Sequence, residues 1–231
     1  MNIQIYQLVE GARQARGITV VIDVFRAMSV EAYFMHRGAE KVIPVGDKEL
    51  AYQLKRENPE VILAGERHGK ILPGFDCGNS PAQVLTLDVQ GKTVVHTTSA
   101  GTQGIANAIH ADEILGGSLL TAKATAEYIR QSGAQEVSLV CMGLEALSET
   151  EEDTLCARYI KALLEGETLD MATEMEGLKT TSGAKFFDPA QQEVFPEADF
   201  HLCCELDKFN FVLKLEQGGD GLPYMRKIEM E

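Results

Sequence analysis

A short glycine-rich stretch, residues 65–81, carries two acidic and three basic side chains directly after the apolar run 61–64. A simple connection would carry mainly Ser, Asn and Gly, whereas these side chains can bind an anion or a metal ion. Glycine lets a backbone approach a ligand closely, and α/β proteins place their sites in loops that follow strands. We therefore predict that residues 65–81 form an active-site loop.

An aspartate and an arginine follow a second apolar run in the same way. Asp23 comes directly after the run 20–22, and Arg26 lies three residues further on. At the carboxyl end of a strand, Asp23 can act as a metal ligand or a base, and Arg26 can bind an anion. A structural alternative, in which Asp23 caps a helix and pairs with Arg26, explains these two residues equally well.

Hydroxyl residues and a glycine follow a third apolar run, which ends at Thr97. The start of a predicted helix can bind an anion through backbone N–H groups and hydroxyls. The residues placed there are Thr98, Ser99, Gly101 and Thr102. Taken alone, this segment fits an ordinary Ser/Thr helix cap better.

Three consecutive carboxylates, residues 151–153, begin a further predicted helix and can bind a divalent cation. Taken alone they fit helix capping better, because acids stabilise the positive end of a helix and Ser148 with Glu151 matches a capping box. Together with the other segments, however, they place candidate sites after three or four strands, as one pocket at the strand ends requires. The combination indicates a site for an anion and a metal ion.

The common phosphate-binding motifs are absent from the sequence. The segment 91–93 ends like a P-loop, but Thr86 stands where the first glycine belongs. There is no Gly-x-Gly-x-x-Gly, no Cys followed six positions later by Arg, and no Asp-x-Asp, since Phe25 stands two residues after Asp23. Phosphate chemistry in this chain therefore requires another arrangement.

The elements that must position these residues alternate along the chain as in an α/β fold. Apolar runs typical of strands covered on both faces predict strands at 18–23, 41–44, 61–64, 93–97, 113–115 and 137–142. Apolar residues at helical spacing predict helices at 29–37, 48–57, 101–109, 121–132 and 151–164, with others at 169–178 and from Pro81. Alternation at 200–206 and 209–215 predicts a closing hairpin or two edge strands, followed by an exposed tail at 217–231. The predicted fold is a layered α/β/α arrangement with a mostly parallel or mixed central sheet and a C-terminal β-hairpin.

Composition limits the classes of partner. The 231 residues are 45% hydrophobic and 24% charged, as in an ordinary globular protein, and we predict a single α/β domain over 1–231, which can include a small C-terminal lobe from about residue 167. No apolar run approaches the roughly 20 residues of a membrane span, and residues 1–10 lack the pattern of a signal peptide, so we expect a cytoplasmic protein without a membrane partner. A formal charge of −14 argues against nucleic acid as a partner. A homodimer is left open.

These segments resemble the Mg²⁺-dependent 2-phosphosulfolactate phosphatases of coenzyme M biosynthesis. The matching pieces run in the family's order over roughly residues 18–213, namely 21–27, 65–67 with 74–81, 91–102, 152–157 and 204–207. The run Gly-Phe-Asp-x-Gly-Asn-Ser-Pro at 74–81 is highly specific to the family.

The resemblance implies hydrolysis of (R)-2-phospho-3-sulfolactate, a small anionic phosphate monoester, to 3-sulfolactate and phosphate. Carried over position by position, the family's motif residues are the acids Asp23, Glu66, Asp76 and Asp153, the basic residues Arg26 and Arg67, and Asn79 with Ser80. We expect the catalytic groups to be among these acids and arginines, and we expect some of the four acids to bind Mg²⁺. Asn79, Ser80 and the segment 98–102 would bind the phosphate. Asp23 is the first choice for activating water or attacking phosphorus directly, two mechanisms that stay open.

In the Thr-Thr-Asn-Gly-Thr-Arg motif of the family, Ser99 keeps a hydroxyl in place of the second Thr, but Ala100 replaces the Asn and Gln103 the Arg. One anion contact is thereby lost. Two hypotheses follow: a metal-dependent phosphatase for a small anionic organic phosphate, or a non-catalytic anion-binding or sensor protein that retains the phosphatase fold. Phosphate release that stops when metal is removed favours the first, and stabilisation by ligand without turnover favours the second.

Overall fold

The computed structural model describes residues 1–219 and 221–231, and within these residues ten strands form one mixed sheet. The strands are β1 (Asn2–Gln7), β2 (Gly17–Ile22), β3 (Lys41–Pro44), β4 (Ile62–Arg67), β5 (Lys70–Ile71), β6 (Thr93–Thr97), β7 (Ala111–Gly117), β8 (Glu136–Cys141), β9 (Phe211–Gln217) and β10 (Pro223–Glu229). Their order in the sheet is β1-β8-β2-β7-β9-β10-β3-β6-β4-β5. The predicted mixed α/β sheet is therefore confirmed.

The sheet consists of two parallel halves joined by an antiparallel hairpin. Strands β1, β8, β2 and β7 pair in parallel, and so do β3, β6 and β4. The hairpin β9–β10 lies between the halves and pairs antiparallel with β7 on one side and β3 on the other. The hairpin thus joins the two parallel halves into one continuous sheet.

Helices cover the sheet on both faces. In the part of the chain that the structure describes they are α1 (Leu8–Gln14), α2 (Ala27–His36), α3 (Lys48–Glu57), α4 (Pro81–Val84), α5 (Gly101–Asn107), α6 (Ala122–Ser132), α7 (Glu151–Glu165), α8 (Met171–Leu178) and α9 (Glu197–Cys203). Short 3₁₀ turns lie at Leu119–Thr121, Ala184–Phe187 and Pro189–Gln191. None of the helices in the described ranges has the length and apolar character needed to cross a membrane.

The sheet curls so that its two halves approach each other. Strands β2 and β6 are five places apart, which corresponds to roughly 24 Å in a flat sheet. A Cβ added to Gly101, four residues after β6, would nevertheless lie 3.0 Å from Oδ2 of Asp23, the residue after β2. Accumulated strand twist and curl therefore bring the ends of these strands together.

Helix α2 fills the space inside this curl. Its residues from Ala27 to Met35 are all buried, which fits a helix that is largely apolar around its circumference. Side chains from β2, β3, β4, β6 and the β9–β10 hairpin share one core cluster with it. The outer face of the first half packs against α6 and α7, and that of the second half packs against α3.

Three predictions about the C-terminal part and the 65–81 segment are wrong in detail. Residues 200–206 do not form a strand, because Phe200 and Cys203 belong to α9 and bury one helical face. The hairpin is formed instead by β9 and β10, so the supposed exposed tail contains a strand inside the sheet, with Met225 fully buried. Strand β4 extends to Arg67, so the first residues of the predicted active-site loop belong to a strand.

Candidate active site

A cavity of about 310 Å³ lies where the two halves of the sheet meet. Predicted site residues that line it are Asp23, Arg26, Glu66, Asn79, Thr98 and Ser99. A larger cavity of about 430 Å³ lies between α7 and α8, but the only basic residue in its lining, Arg158, is paired with Glu174. The smaller cavity contains two acids together with Arg26 and Lys185, of which Lys185 has no ion-pair partner among the described residues, and is the better candidate for phosphate chemistry.

Asp23 stands at the end of β2 with only 5% of its surface exposed. Its Oδ1 accepts a hydrogen bond of 2.9 Å from the backbone N–H of Ala27, at the start of α2. Burial, together with the negative charges of Glu152 and Glu66, raises the pKa of Asp23 to about 6, against the opposing effects of the Ala27 hydrogen bond and His96. A carboxyl with a pKa near neutrality suits a base or a metal ligand.

Arg26 is fixed by a buried ion pair that the sequence did not predict. Its Nη1 lies 2.6 Å from Oδ2 of Asp199 in α9, and both side chains are at least 96% buried. The guanidinium also lies over the rings of Phe195 and Phe186, at 5.0 and 5.8 Å from their centroids. The proposed structural pairing with Asp23 is therefore wrong, because the partner of Arg26 comes from the far end of the chain.

Asp199 joins two walls of the site. While Oδ2 holds Arg26, Oδ1 accepts hydrogen bonds of 2.9 Å from Ser80 Oγ and from the backbone N–H of Ala82. Ser80 caps the short helix α4, as Pro81 at its first position predicts. Ser80 thus positions the 78–81 turn and lines a neighbouring cavity, not the one that contains Asp23.

Glu66 connects β4 to the turn after β6. Its Oε1 accepts a hydrogen bond from the backbone N–H of Ser99 (2.8 Å), and its Oε2 accepts one from the N–H of Gly69 (2.7 Å). Arg67 points elsewhere and donates to Thr97 Oγ1 and to the carbonyl of Gly46, at 2.9 and 3.0 Å. Arg67 therefore braces the strand ends, outside the lining of the cavity.

The turn after β6 has its own internal support. Thr102 Oγ1 donates to the carbonyl of Thr98 at 2.9 Å, and both residues are buried. Position 101 requires a glycine, because a Cβ there would lie 3.0 Å from Oδ2 of Asp23 and 2.8 Å from Cβ of Ala27. Of the four predicted residues of this segment, Thr98 and Ser99 line the cavity, whereas Gly101 and Thr102 shape the turn behind it.

Asn79 is positioned by a buried histidine and glutamate. His96 Nε2 lies 3.3 Å from Asn79 Oδ1, and His96 Nδ1 lies 2.9 Å from Glu31 Oε1. Both His96 and Glu31 are fully buried, and they join β6 to α2. This arrangement fixes the Asn79 side chain at the cavity wall.

The other two predicted acids lie away from the cavity lining. Asp153 Oδ1 and Oδ2 accept 2.8 Å hydrogen bonds from the N–H groups of Val24 and Gly143, and burial raises its pKa well above the usual value. Thr150, not Ser148, is the N-cap of α7, so the capping box is not formed. Asp76 accepts from Leu63 N–H and pairs with Lys55.

The four acids therefore do not converge on one point. Within the described residues, no group of three or more His, Cys, Asp and Glu side chains is placed to hold a metal ion. Asp23 and Glu66 do line the same cavity, and their mutual repulsion contributes to the raised pKa of Asp23. Because Mg²⁺ is commonly held by one or two carboxylates together with substrate phosphate and water, these two residues fit it.

The similarity to known proteins extends over nearly the whole chain. Residues 3–218 match the family described as 2-phosphosulpholactate phosphatase. The chain belongs to this family. A relative from Bacillus subtilis (strain 168) is 29% identical over 99% of both chains. One from Caldanaerobacter subterraneus subsp. tengcongensis is 33% identical over 86% of this chain and 88% of the relative, and each is named a probable 2-phosphosulfolactate phosphatase.

Family membership confirms the recognition made from the motifs and the predicted enzyme class, a phosphatase that acts on phosphate monoesters. What the motifs did not predict in this member of the family is the contribution of residues 184–199. Lys185, Gln191 and Phe195 line the cavity, and Asp199 holds Arg26. The only sequence signal for them was an unusual mixture of phenylalanines with charged residues in a segment that otherwise reads as polar loop.

Proposed function

We propose that this chain hydrolyses the phosphate monoester of a small anionic organic acid, with (R)-2-phospho-3-sulfolactate as the leading substrate. The observation that carries the proposal is the placement of Asp23, with a pKa raised to about 6, in one cavity with the fixed guanidinium of Arg26. Membership of a phosphatase family and the names of the relatives support the same activity.

The cavity supplies the groups that phosphoryl transfer needs. Arg26 retains N–H donors beyond the one directed at Asp199 and would bind phosphate oxygens. Ser99 and Thr98 would add hydroxyl donors beside it. Stabilising charge on the transferring group is the main means of accelerating this slow reaction, and a pre-positioned arginine does so without reorganisation.

Asp23 would either activate the attacking water or attack phosphorus itself. Both roles require an accessible carboxylate oxygen, and the bond from Ala27 engages only Oδ1. A carboxyl with a pKa of about 6 is mostly ionised at neutral pH and still basic enough to accept a proton. The first role leaves no covalent intermediate, whereas the second forms an aspartyl phosphate.

Mg²⁺ is the proposed cofactor, with Asp23 and Glu66 as its protein ligands. Bound there, it would neutralise the two acids and polarise the phosphoryl oxygens. Asp153 and Asp76, which the motif comparison also suggested, would act indirectly through the backbone groups that they hold.

Phosphate release by the purified protein tests both the activity and its metal dependence. We expect turnover of 2-phosphosulfolactate with Mg²⁺, its loss in EDTA, and its return when Mg²⁺ is added back. Asp23→Asn should reduce kcat by at least about a thousandfold, whereas Asp88→Asn, an exposed aspartate, should leave it unchanged. Undiminished turnover in Asp23→Asn would overturn the assignment of this residue.

A non-catalytic anion-binding protein is the second candidate, and one observation favours it. Ala100 lines the cavity and presents a methyl group where a polar contact with an anion would otherwise be possible. If this candidate is correct, 2-phosphosulfolactate will raise the melting temperature without release of phosphate. The cytoplasmic location, the homodimer and the role in coenzyme M biosynthesis stay predictions.

A further inference from the structure

Lys185 is a second cation in the cavity, and the phosphate motifs do not include it. It lies in the 3₁₀ turn Ala184–Phe187, half-buried, and lines the cavity together with Arg26. Within the described residues its ammonium makes no ion pair and no hydrogen bond. A half-buried lysine without such partners is unusual, because burying charge is costly unless the charge is paired.

The surroundings of Lys185 hold the ammonium in place without neutralising it. Its Nζ lies 5.2 Å from the ring centroid of Phe195 and 5.6 Å from that of Phe186, the same two rings that face Arg26. Burial lowers the pKa of Lys185, and the positive charge of Arg26 lowers it further. The charge of Arg26 is offset by Asp199, whereas that of Lys185 is available to a ligand.

Glu152 is the other group that could explain Lys185. Its charge favours the protonated lysine from a distance, and its Oε2 is buried without a hydrogen-bond partner. The two side chains do not form an ion pair, however, although an N–O contact would satisfy both. Lys185 lines the cavity that contains Asp23 and Arg26, and also a second, neighbouring cavity, whereas Glu152 lines neither.

We propose that Lys185 binds a second anionic group of the substrate, a carboxylate or sulfonate on the carbon skeleton, and so selects phosphorylated acids over uncharged phosphate monoesters. The inference rests on the proposed function, because it assigns the phosphate to Arg26 and the turn after β6. Two cations near the same pair of rings then match two anionic groups of one small molecule. Lys185 is thus a residue for specificity and not for the transfer step.

Two substrates that differ by one charge test this assignment. 2-Phospholactate and isopropyl phosphate share the phosphorylated secondary carbon, but only the first carries a carboxylate. For Lys185→Met we expect kcat/KM to fall roughly 10- to 100-fold with 2-phospholactate, the size of one lost charge-assisted hydrogen bond, and less than about threefold with isopropyl phosphate. Lys185→Arg should restore most of the selectivity. Lys179→Met, which removes a half-buried lysine that is paired with Glu176 and lies outside the cavity lining, is the matched control and should change neither value.

The outcomes separate this inference from the proposed function. Equal losses with both substrates, or no loss with either, would overturn the role of Lys185. If the unmodified protein turns over neither these compounds nor 2-phosphosulfolactate, the proposed activity fails, and calorimetric affinities for 2-phospholactate and isopropyl phosphate then decide the role of Lys185. A selective loss of affinity for 2-phospholactate in Lys185→Met would still support the role of Lys185. Equal affinities of the variant and the parent would overturn it.

Discussion

At the scale of single residues, the site concentrates negative charge that folding alone does not favour. Burial raises the pKa values of Asp23, Glu152 and Asp153, and the charge of Glu152 adds to the repulsion felt by both Asp23 and Asp153. A raised pKa in the folded protein means that the ionised form is destabilising there. Such a cost is expected at a site that gains a cation or acts on a proton.

Asp23→Asn should therefore stabilise the metal-free protein while removing its activity. The folded pKa of about 6 exceeds the ordinary value of 3.8, so the stability that protonated Asp23 contributes is complete below pH 3.8 and lost as the pH rises through 6. In EDTA at pH 7.5 we expect urea denaturation to give the variant a free energy of unfolding about 2–3 kcal/mol higher than that of the parent. The difference should vanish below about pH 4. Equal stability of variant and parent at pH 7.5 would contradict this account.

Asp199→Asn should have the opposite effect on stability. The amide can still accept hydrogen bonds from Ser80 and Ala82, but Arg26 loses its counter-charge while it remains buried. Breaking a buried pair in this way costs about 3–5 kcal/mol. We expect a lower melting temperature and a raised KM for the phosphate monoester, with Asp112→Asn, an exposed aspartate, as the unaffected control. A variant with unchanged KM would show that Asp199 does not position Arg26 for binding.

The residues of the site that could be predicted were those next to apolar runs. Asp23, Glu66 and Thr98 lie at or just after strands, so their neighbours in sequence indicated that they share an edge of the sheet. Asp199 and Lys185 could not be recognised in this way, because Asp199 pairs with Arg26, and Lys185 lines a cavity with Asp23 and Arg26, residues more than 100 positions earlier. Asp76 and Asp153 were misplaced because a motif match shows which residue is present but not where its side chain points.

At the scale of elements, the close contact between α5 and the first half of the sheet determines the shape of the cavity. A Cβ on Gly104 would lie 2.5 Å from Met142 Sδ and 2.6 Å from Val21 Cγ1. Helix α5 can therefore lie against β2 only with a glycine at this position. The same packing places the turn after β6 beside Asp23.

Gly104→Ala and Gly177→Ala form a matched pair that tests this packing. Both glycines are helical, but a Cβ on Gly177 in α8 would meet nothing within 4 Å. We expect Gly177→Ala to raise the free energy of unfolding by about 0.5–1 kcal/mol, and Gly104→Ala to lower it by about 1–3 kcal/mol and reduce phosphate release. If chemical denaturation gives both variants the same sign, the contact of α5 with β2 is not a close one.

Strand β4 runs three residues beyond its predicted end, but the other strands and helices with strong apolar patterns were predictable to within two residues, and β3, β6 and α3 to the residue. The C-terminal part was not, for two physical reasons. Over so short a segment Phe200, Leu202 and Cys204 alternate as in a strand, while Phe200 and Cys203 have the spacing of one helical face. Strand β10 buries only Met225 completely, so its composition resembles that of an exposed tail although it lies between β9 and β3.

At the scale of the whole molecule, the hairpin β9–β10 makes the two halves of the sheet interdependent. Without the hairpin, β7 and β3 would each be an open edge strand. Both halves also contribute side chains to the core around α2. We therefore expect one cooperative transition in calorimetry of the metal-free protein, with equal calorimetric and van't Hoff enthalpies. This result would support the prediction of a single domain. Two separable transitions would instead favour a distinct C-terminal lobe.

The position of β10 also determines when the cavity can form during synthesis. Asp23 belongs to one half of the sheet and Glu66 to the other, the strands of the two halves alternate in blocks along the chain, and β10 is translated after all of them. We therefore expect that a nascent or truncated chain that stops before Pro223 holds every catalytic candidate and does not bring them together. The chain is then expected to bind its ligand only after β10 has been synthesised, so that incomplete chains are inactive.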